Sequence, residues 1–232
     1  MAAHPNICPR TGYLVGWRWS QLPVEKALEV VITEWNSKDF EKVDERKYIL
    51  DQCELAPHDM AMTDNAVLLK VNALSMNSVD FLSGIKAPSA ALEMDGRAPV
   101  RLHVLPRPCA EKVFEPFSVE VPACFSIHFS HSYEDPDTGN IIAHFSGWPP
   151  SDSKDFLGAW GGFAPVFDKI PPTYIWRLEI DTTSKKTVHL DIARGARNCC
   201  AGKQLYSFDL KVEFYHSSFK HMNHRRTSAC SP

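Results

Sequence analysis

The chain has no long apolar run, no paired-cysteine motif and no excess of positive charge, and each absence removes a class of function. A helix that spans a bilayer needs about 20 consecutive apolar residues, and no such stretch occurs. No charged segment followed by an apolar one opens the chain, and no Arg- and Ser-rich transit segment is legible, so the expected setting is intracellular, cytoplasm or plastid. Seven cysteines, Cys8, Cys53, Cys109, Cys124, Cys199, Cys200 and Cys230, include no C-x-x-C spacing. Their odd number predicts free thiols in a reducing compartment and argues against a cysteine zinc site. With 25 basic and 28 acidic residues the net charge is −3, which offers no field for nucleic acid. The one dense basic cluster, His221 to Arg226, reads as a solvated terminal run. Nucleophile elbows, P-loops and dinucleotide fingerprints are missing as well. Asp135, Asp137 and Asn140 lack the spacing and closing glutamate of an EF-hand and read as a turn.

What is present is mostly short, strand-like and bounded by turn residues. Runs of β-branched and aromatic residues predict strands over Tyr13–Trp19, Leu28–Thr33, Ala66–Asn72, Val100–Leu105 and Ala123–Ser130. Others follow at Asn140–Phe145, Tyr174–Ile180, Thr187–Asp191 and Leu205–Tyr215, with Ile180–Thr187 reading as a hairpin. Helical signal is confined to Ser151–Trp160, after two prolines, and the short Ser78–Gly84. Many short strands with frequent turns predict an all-β sandwich, barrel or propeller, and periodicity does not choose among them.

Three histidine motifs stand in order along this pattern: AAHPNICPRTG around His4, APHDMAMTDN around His58, and FSIHFSHSYED around His128. Each histidine sits where a polar or turn segment meets an apolar run. The separations suit successive propeller blades of about 40–50 residues and are too long for a zinc finger. Pro5 is expected to push His4 towards an extended conformation. His131 should face away from His128 if both lie on one strand. The other histidines, His103, His144, His189, His216, His221 and His224, have no matching motif and read as structural.

Together these strings resemble the carotenoid cleavage oxygenases, from about Ala3 to Asn198. The likeness lies in His-Pro followed by Pro-x-Thr-Gly at His4, in His-Asp-x-x-x-Thr at His58, and in Ser132-Tyr133-Glu134-Asp135 after His128, where His131 replaces the usual Asn. The string VLPR, Val104 to Arg107, is similar too. The resemblance implies part of a seven-bladed β-propeller with iron on its axis. It also implies Fe(2+) as cofactor, and His4, His58 and His128 as metal ligands with no further catalytic residue.

The function so implied is iron-dependent cleavage of a conjugated double bond in a carotenoid or apocarotenoid, with an apolar polyene and O2 as substrates. Peripheral contact with a membrane is compatible with such a substrate. The family is about twice this length, however. Its fourth histidine and two of its glutamates that orient the ligands have no counterpart here, and Ala201–Pro232 looks unrelated to it. Residues 1–200 are therefore expected to be a partial propeller and 201–232 a C-terminal segment of unclear origin that packs poorly or is disordered, the whole having little or no activity. Two other readings stay open: a non-catalytic propeller fragment or binding module, and an oxygenase of a non-carotenoid substrate or a retinoid isomerase.

Overall fold

Apolar residues on both faces of the central strands dictate the architecture, since each sheet must be covered twice. The computed structural model describes residues 4–22, 26–150, 172–194 and 211–212. Three antiparallel sheets follow one another as blades. The first contains β1 (Asn6–Ile7), β2 (Tyr13–Gln21), β3 (Leu28–Asn36) and β4 (Lys42–Leu50), paired in that order. The second is built from β5 (Met60–Met62), β6 (Ala66–Val71), β9 (Val100–Pro106) and β10 (Phe117–Val121). An insertion interrupts it: β7 (Leu74–Met76) and β8 (Leu92–Met94) pair with each other around helix α1 (Ser78–Leu82) and a 3-10 turn at Pro88–Ala91. The third holds β11 (Phe129–Glu134), β12 (Ile141–Gly147), β13 (Tyr174–Asp181), β14 (Lys186–Arg194) and β15 (Lys211–Val212). The fold is all-β, part of a propeller.

The cores are the interfaces between blades. Val15, Trp17, Val30 and Ile32 of the first sheet meet Val67, Leu69 and Leu105 of the second. On the opposite face of the second sheet, Leu68, Leu102 and Val104 meet Ile141, Phe145, Trp176 and Leu178 of the third. This explains why β6 reads as an apolar run broken only by Lys70, because successive side chains enter different cores. Fully burying a residue such as Leu68 stabilises by about 1.5–3 kcal/mol.

Polar clamps set the angle between blades. Arg107 is wholly buried and bidentate to Glu34: Nε donates to Oε1 at 3.1 Å and the terminal nitrogen to Oε2 at 2.7 Å. Its remaining nitrogen donates to Cys8 Sγ and to the carbonyls of Thr63 and Asp64. One guanidinium thus ties the first sheet to the second. Between the second and third, Glu134 accepts from Thr63 Oγ1 (2.7 Å), Asn65 N (2.9 Å) and Asn65 Nδ2 (2.8 Å).

Several sequence expectations change here. Ala123–His128 is not a strand apart from an isolated bridge, Phe125 to Trp148. Its backbone is satisfied by side chains instead: Asn72 bonds both N and O of Ser126, and Asp59 accepts from Phe129 N. The ladder therefore begins at Phe129. Strands β1, β4, β5, β7, β8 and β10 were not expected, β4 because its charged sequence KVDERKYIL suits a sheet edge rather than a core. Helix α1 occupies the expected site, with Asn77 capping Asp80 N. The Ile180–Thr187 hairpin closes with Asp181 opposite Lys186. The expected helix Ser151–Trp160 lies outside the described residues. So does most of the 201–232 segment, of which only Lys211–Val212 is described, pairing with β14. The described cysteines, Cys8, Cys53, Cys109 and Cys124, are free.

Candidate metal centre

His4, His58 and His128 occupy equivalent places. Each lies one or two residues before the strand at one end of its sheet: β1, β5 and β11 respectively. Three blades thus supply one histidine apiece. The longer separation between His58 and His128 arises because the Leu74–Met94 insertion falls inside the second blade.

Local chemistry aims each ring. β1 pairs with β2 through the turn at Thr11–Gly12, where Gly12 takes φ +71° and its amide donates to the Cys8 carbonyl. Asn6 Nδ2 reaches the Met60 carbonyl at 3.4 Å and joins the His4 segment to the His58 segment. His4 itself has φ 61°, not the extended backbone that Pro5 favours. A left-handed non-glycine residue costs of order 1–3 kcal/mol. Here the bend turns the imidazole towards the other two.

The three rings form a near-equilateral group, with centroids 5.1, 4.8 and 5.0 Å apart and planes at 61°, 87° and 77°. One nitrogen from each lies within 4.8 Å of the other two. Among the described residues no fourth histidine, cysteine or carboxylate joins them. The Nε2 atoms of His4 and His58 are 3.2 Å apart. Two nitrogens bound to one ion at about 2.0–2.1 Å, with an angle of 90–110°, would be separated by about 2.8–3.4 Å. The His4–His58 spacing therefore suits a divalent metal, and neutral imidazoles suit iron, zinc or copper. His58 is held below its ordinary value by partial desolvation, then by the nearby His128 and His4, which favours the neutral, metal-binding form.

The remaining described histidines stay out of the group. His131 lies on β11 and stacks with His144 at 6.4 Å between centroids, alongside Tyr133. His103 is buried against Ser118 Oγ, 2.9 Å from Nδ1, and burial pulls it down to about 4. His189 contacts Asp191. His216, His221 and His224 lie outside the described residues.

Three other residues matter around the centre, and none had been given a role from the sequence alone. Asp59, next to His58 in sequence, is turned to His128, with Oδ2 3.6 Å from Nδ1. Glu134, a conspicuous part of the third motif, holds the Thr63–Asn65 turn rather than a ligand histidine. Lys70 is the third. It is 4% exposed, and its Nζ, without a hydrogen-bond partner, lies 3.7 Å from the Phe145 ring centre and 5.0 Å from that of Phe129. Its signal was a lone charge inside the apolar run AVLLKV.

The arrangement has known counterparts. A sequence profile of the retinal pigment epithelial membrane protein family matches residues 1–229, a span that continues past Cys200. Cobalt-substituted Synechocystis ACO is similar in structure, with a TM-score of 0.66 and 18% identity over 82% of this chain. An ACO/RPE65 chimera aligns with a TM-score of 0.64 and 17% identity over 82% of the chain. A second such chimera, in a trigonal crystal form, gives 0.68 and 18% over 86%. The chain spans 38%, 38% and 40% of those structures respectively. By the family profile, the propeller blades and the histidine motifs that open them, this chain belongs to the carotenoid oxygenase, or retinal pigment epithelial membrane protein, family.

Proposed function

We propose that this chain carries the metal-binding part of an iron-dependent oxygenase that cleaves a conjugated double bond in a carotenoid or apocarotenoid. The observation that supports this most is the meeting of His4, His58 and His128 from three consecutive blades. Ferrous iron, when bound, supplies the redox chemistry by which dioxygen is added across the double bond to give two carbonyl products. The chain's own residues hold and orient. The blade clamps at Glu34–Arg107 and Thr63–Glu134 fix the angles at which the three rings approach. All three histidines are exposed, so water reaches the site freely in this chain. Among the described residues these three imidazoles are the only ligands, which leaves a fourth position to solvent. Turnover by this chain alone is accordingly slow or absent.

The apolar polyene is delivered from a lipid surface in this reading. Support comes from the insertion, where Val79 (75% exposed), Leu82 (80%) and Ile85 (71%) present apolar side chains to water beside Phe81. Among the described residues no helix is long and apolar enough to cross a membrane.

The test is anaerobic loading with ferrous iron, followed by oxygen uptake and chromatography of a carotenoid substrate. One iron per chain, lost in His58→Ala, with little carbonyl product, is the expected result. A chain that retains no iron contradicts the reading. Sustained turnover would contradict the weak activity assigned to three exposed ligands.

A further inference from the structure

An imidazole that gives one nitrogen to a metal must have its other nitrogen fixed, or the ring samples the wrong tautomer. His128 has a group placed to do this. Asp59 is 7% exposed and lies in the loop that precedes β5. Its Oδ1 accepts from Met60 N at 2.8 Å and its Oδ2 from Phe129 N at 2.8 Å. Two amides on two different blades thus lock the carboxylate in place. The oxygen that holds Phe129 N also faces Nδ1 of His128 at 3.6 Å. That is longer than a hydrogen bond, and the His128 side chain is 49% exposed. Lys70 stands behind the same segment, with its ammonium against the Phe129 ring. The charged or titratable groups around Asp59 are therefore His58 on its own loop, His128 on the next blade and Lys70 on β6.

We infer that Asp59 is the positioning residue of His128: it selects the Nδ1–H tautomer and leaves the Nε2 lone pair for the meeting point of the three rings. The consequence for metal binding rests on the three-histidine reading above. The tautomer itself does not. Asp59 thereby couples the second blade to the ligand of the third, and His58-Asp59 serves two histidines with one dipeptide. Asp59 touches neither substrate nor metal and acts through His128 alone.

The test is made on the full metal-free chain with 15N-labelled histidine, comparing wild type with Asp59→Asn by long-range proton–nitrogen NMR. The expected result is His128 as the Nδ1–H tautomer in the wild type and a shift towards Nε2–H in the variant, with His103, buried against Ser118, unchanged as a control on folding. Zinc titration of the same samples should show affinity falling about 10–100-fold in the variant. An unchanged His128 tautomer overturns the inference whatever zinc does. If Asp59→Asn does not fold, the wild-type spectrum decides alone, and an Nε2–H tautomer at His128 overturns it. A wild type that binds no zinc, with the tautomer shift present, would count against the metal reading and uphold Asp59.

Discussion

Replacing Lys70 with methionine removes a buried charge while keeping a side chain of similar length, and it should make the protein more stable. Burial brings the Lys70 amine from an ordinary 10.5 down to about 7, against weaker opposing effects from Cys124 and Asp59. At about 1.36 kcal/mol per pH unit, the separation corresponds to roughly 5 kcal/mol for keeping the ammonium charged inside the core. The unfolded chain binds a proton at this group that the folded one has lost between pH 7 and 10.5. Stability contributed here is thus greatest above 10.5 and is lost as pH falls to about 7. The ring contacts with Phe145 and Phe129 offset part of this, about 2 kcal/mol for a desolvated cation. Lys70→Met should therefore be about 2–3 kcal/mol more stable than wild type at pH 7, and the gap should close towards pH 10.5. Urea denaturation of both proteins at pH 7, 8.5 and 10 reads this directly, since their difference cancels other titrating groups. A variant no more stable at pH 7, or a gap that ignores pH, refutes the reasoning.

Other consequences follow from the clamps and the insertion. Arg107→Met leaves Glu34 buried without its partner and should cost about 3–5 kcal/mol in denaturant melts; the double change Glu34→Leu with Arg107→Met should cost less than this single one. Thr63→Ala removes a hydroxyl shared by Glu134 and the amides of Asn65 and Ala66, and should destabilise by about 1–3 kcal/mol. Leu82→Asp should reduce binding to phosphatidylcholine vesicles in a flotation assay without changing the melting temperature by more than about 2 °C, because Leu82 is 80% exposed.

Most strands were legible because their apolar runs are long and bounded by turns, as at β2, β3, β6 and β13. The strand β4 was not, since an edge strand rich in Lys, Glu and Asp lacks the pattern that burial imposes. The false strand at Ala123–His128 is apolar for another reason: Cys124 and Phe125 are buried at a blade end whose backbone bonds go to the side chains of Asn72 and Asp59. The candidate site shows the same division. Its three histidines were visible as motifs, and His131 was set apart from them before the structure showed it stacked on His144. Their supports were not visible, because Glu134, Asp59 and Arg107 act across blades on residues 69 to 99 positions away. Asp59 adjoins His58 in sequence, yet the fold turns its carboxylate towards His128.

The central claim is that three blades build one metal site from His4, His58 and His128. Cobalt(II) titration of the metal-free chain, followed by absorption spectroscopy, tests it most directly when wild type is compared with His4→Ala, His58→Ala and His128→Ala. The account predicts one cobalt per chain in wild type and a loss of affinity greater than about 10-fold in each variant, since removing any one leaves two imidazoles that lie within 4.8 Å of each other but no longer surround an ion. A wild-type chain that binds no cobalt, or any one of the three variants binding as tightly as wild type, would contradict it.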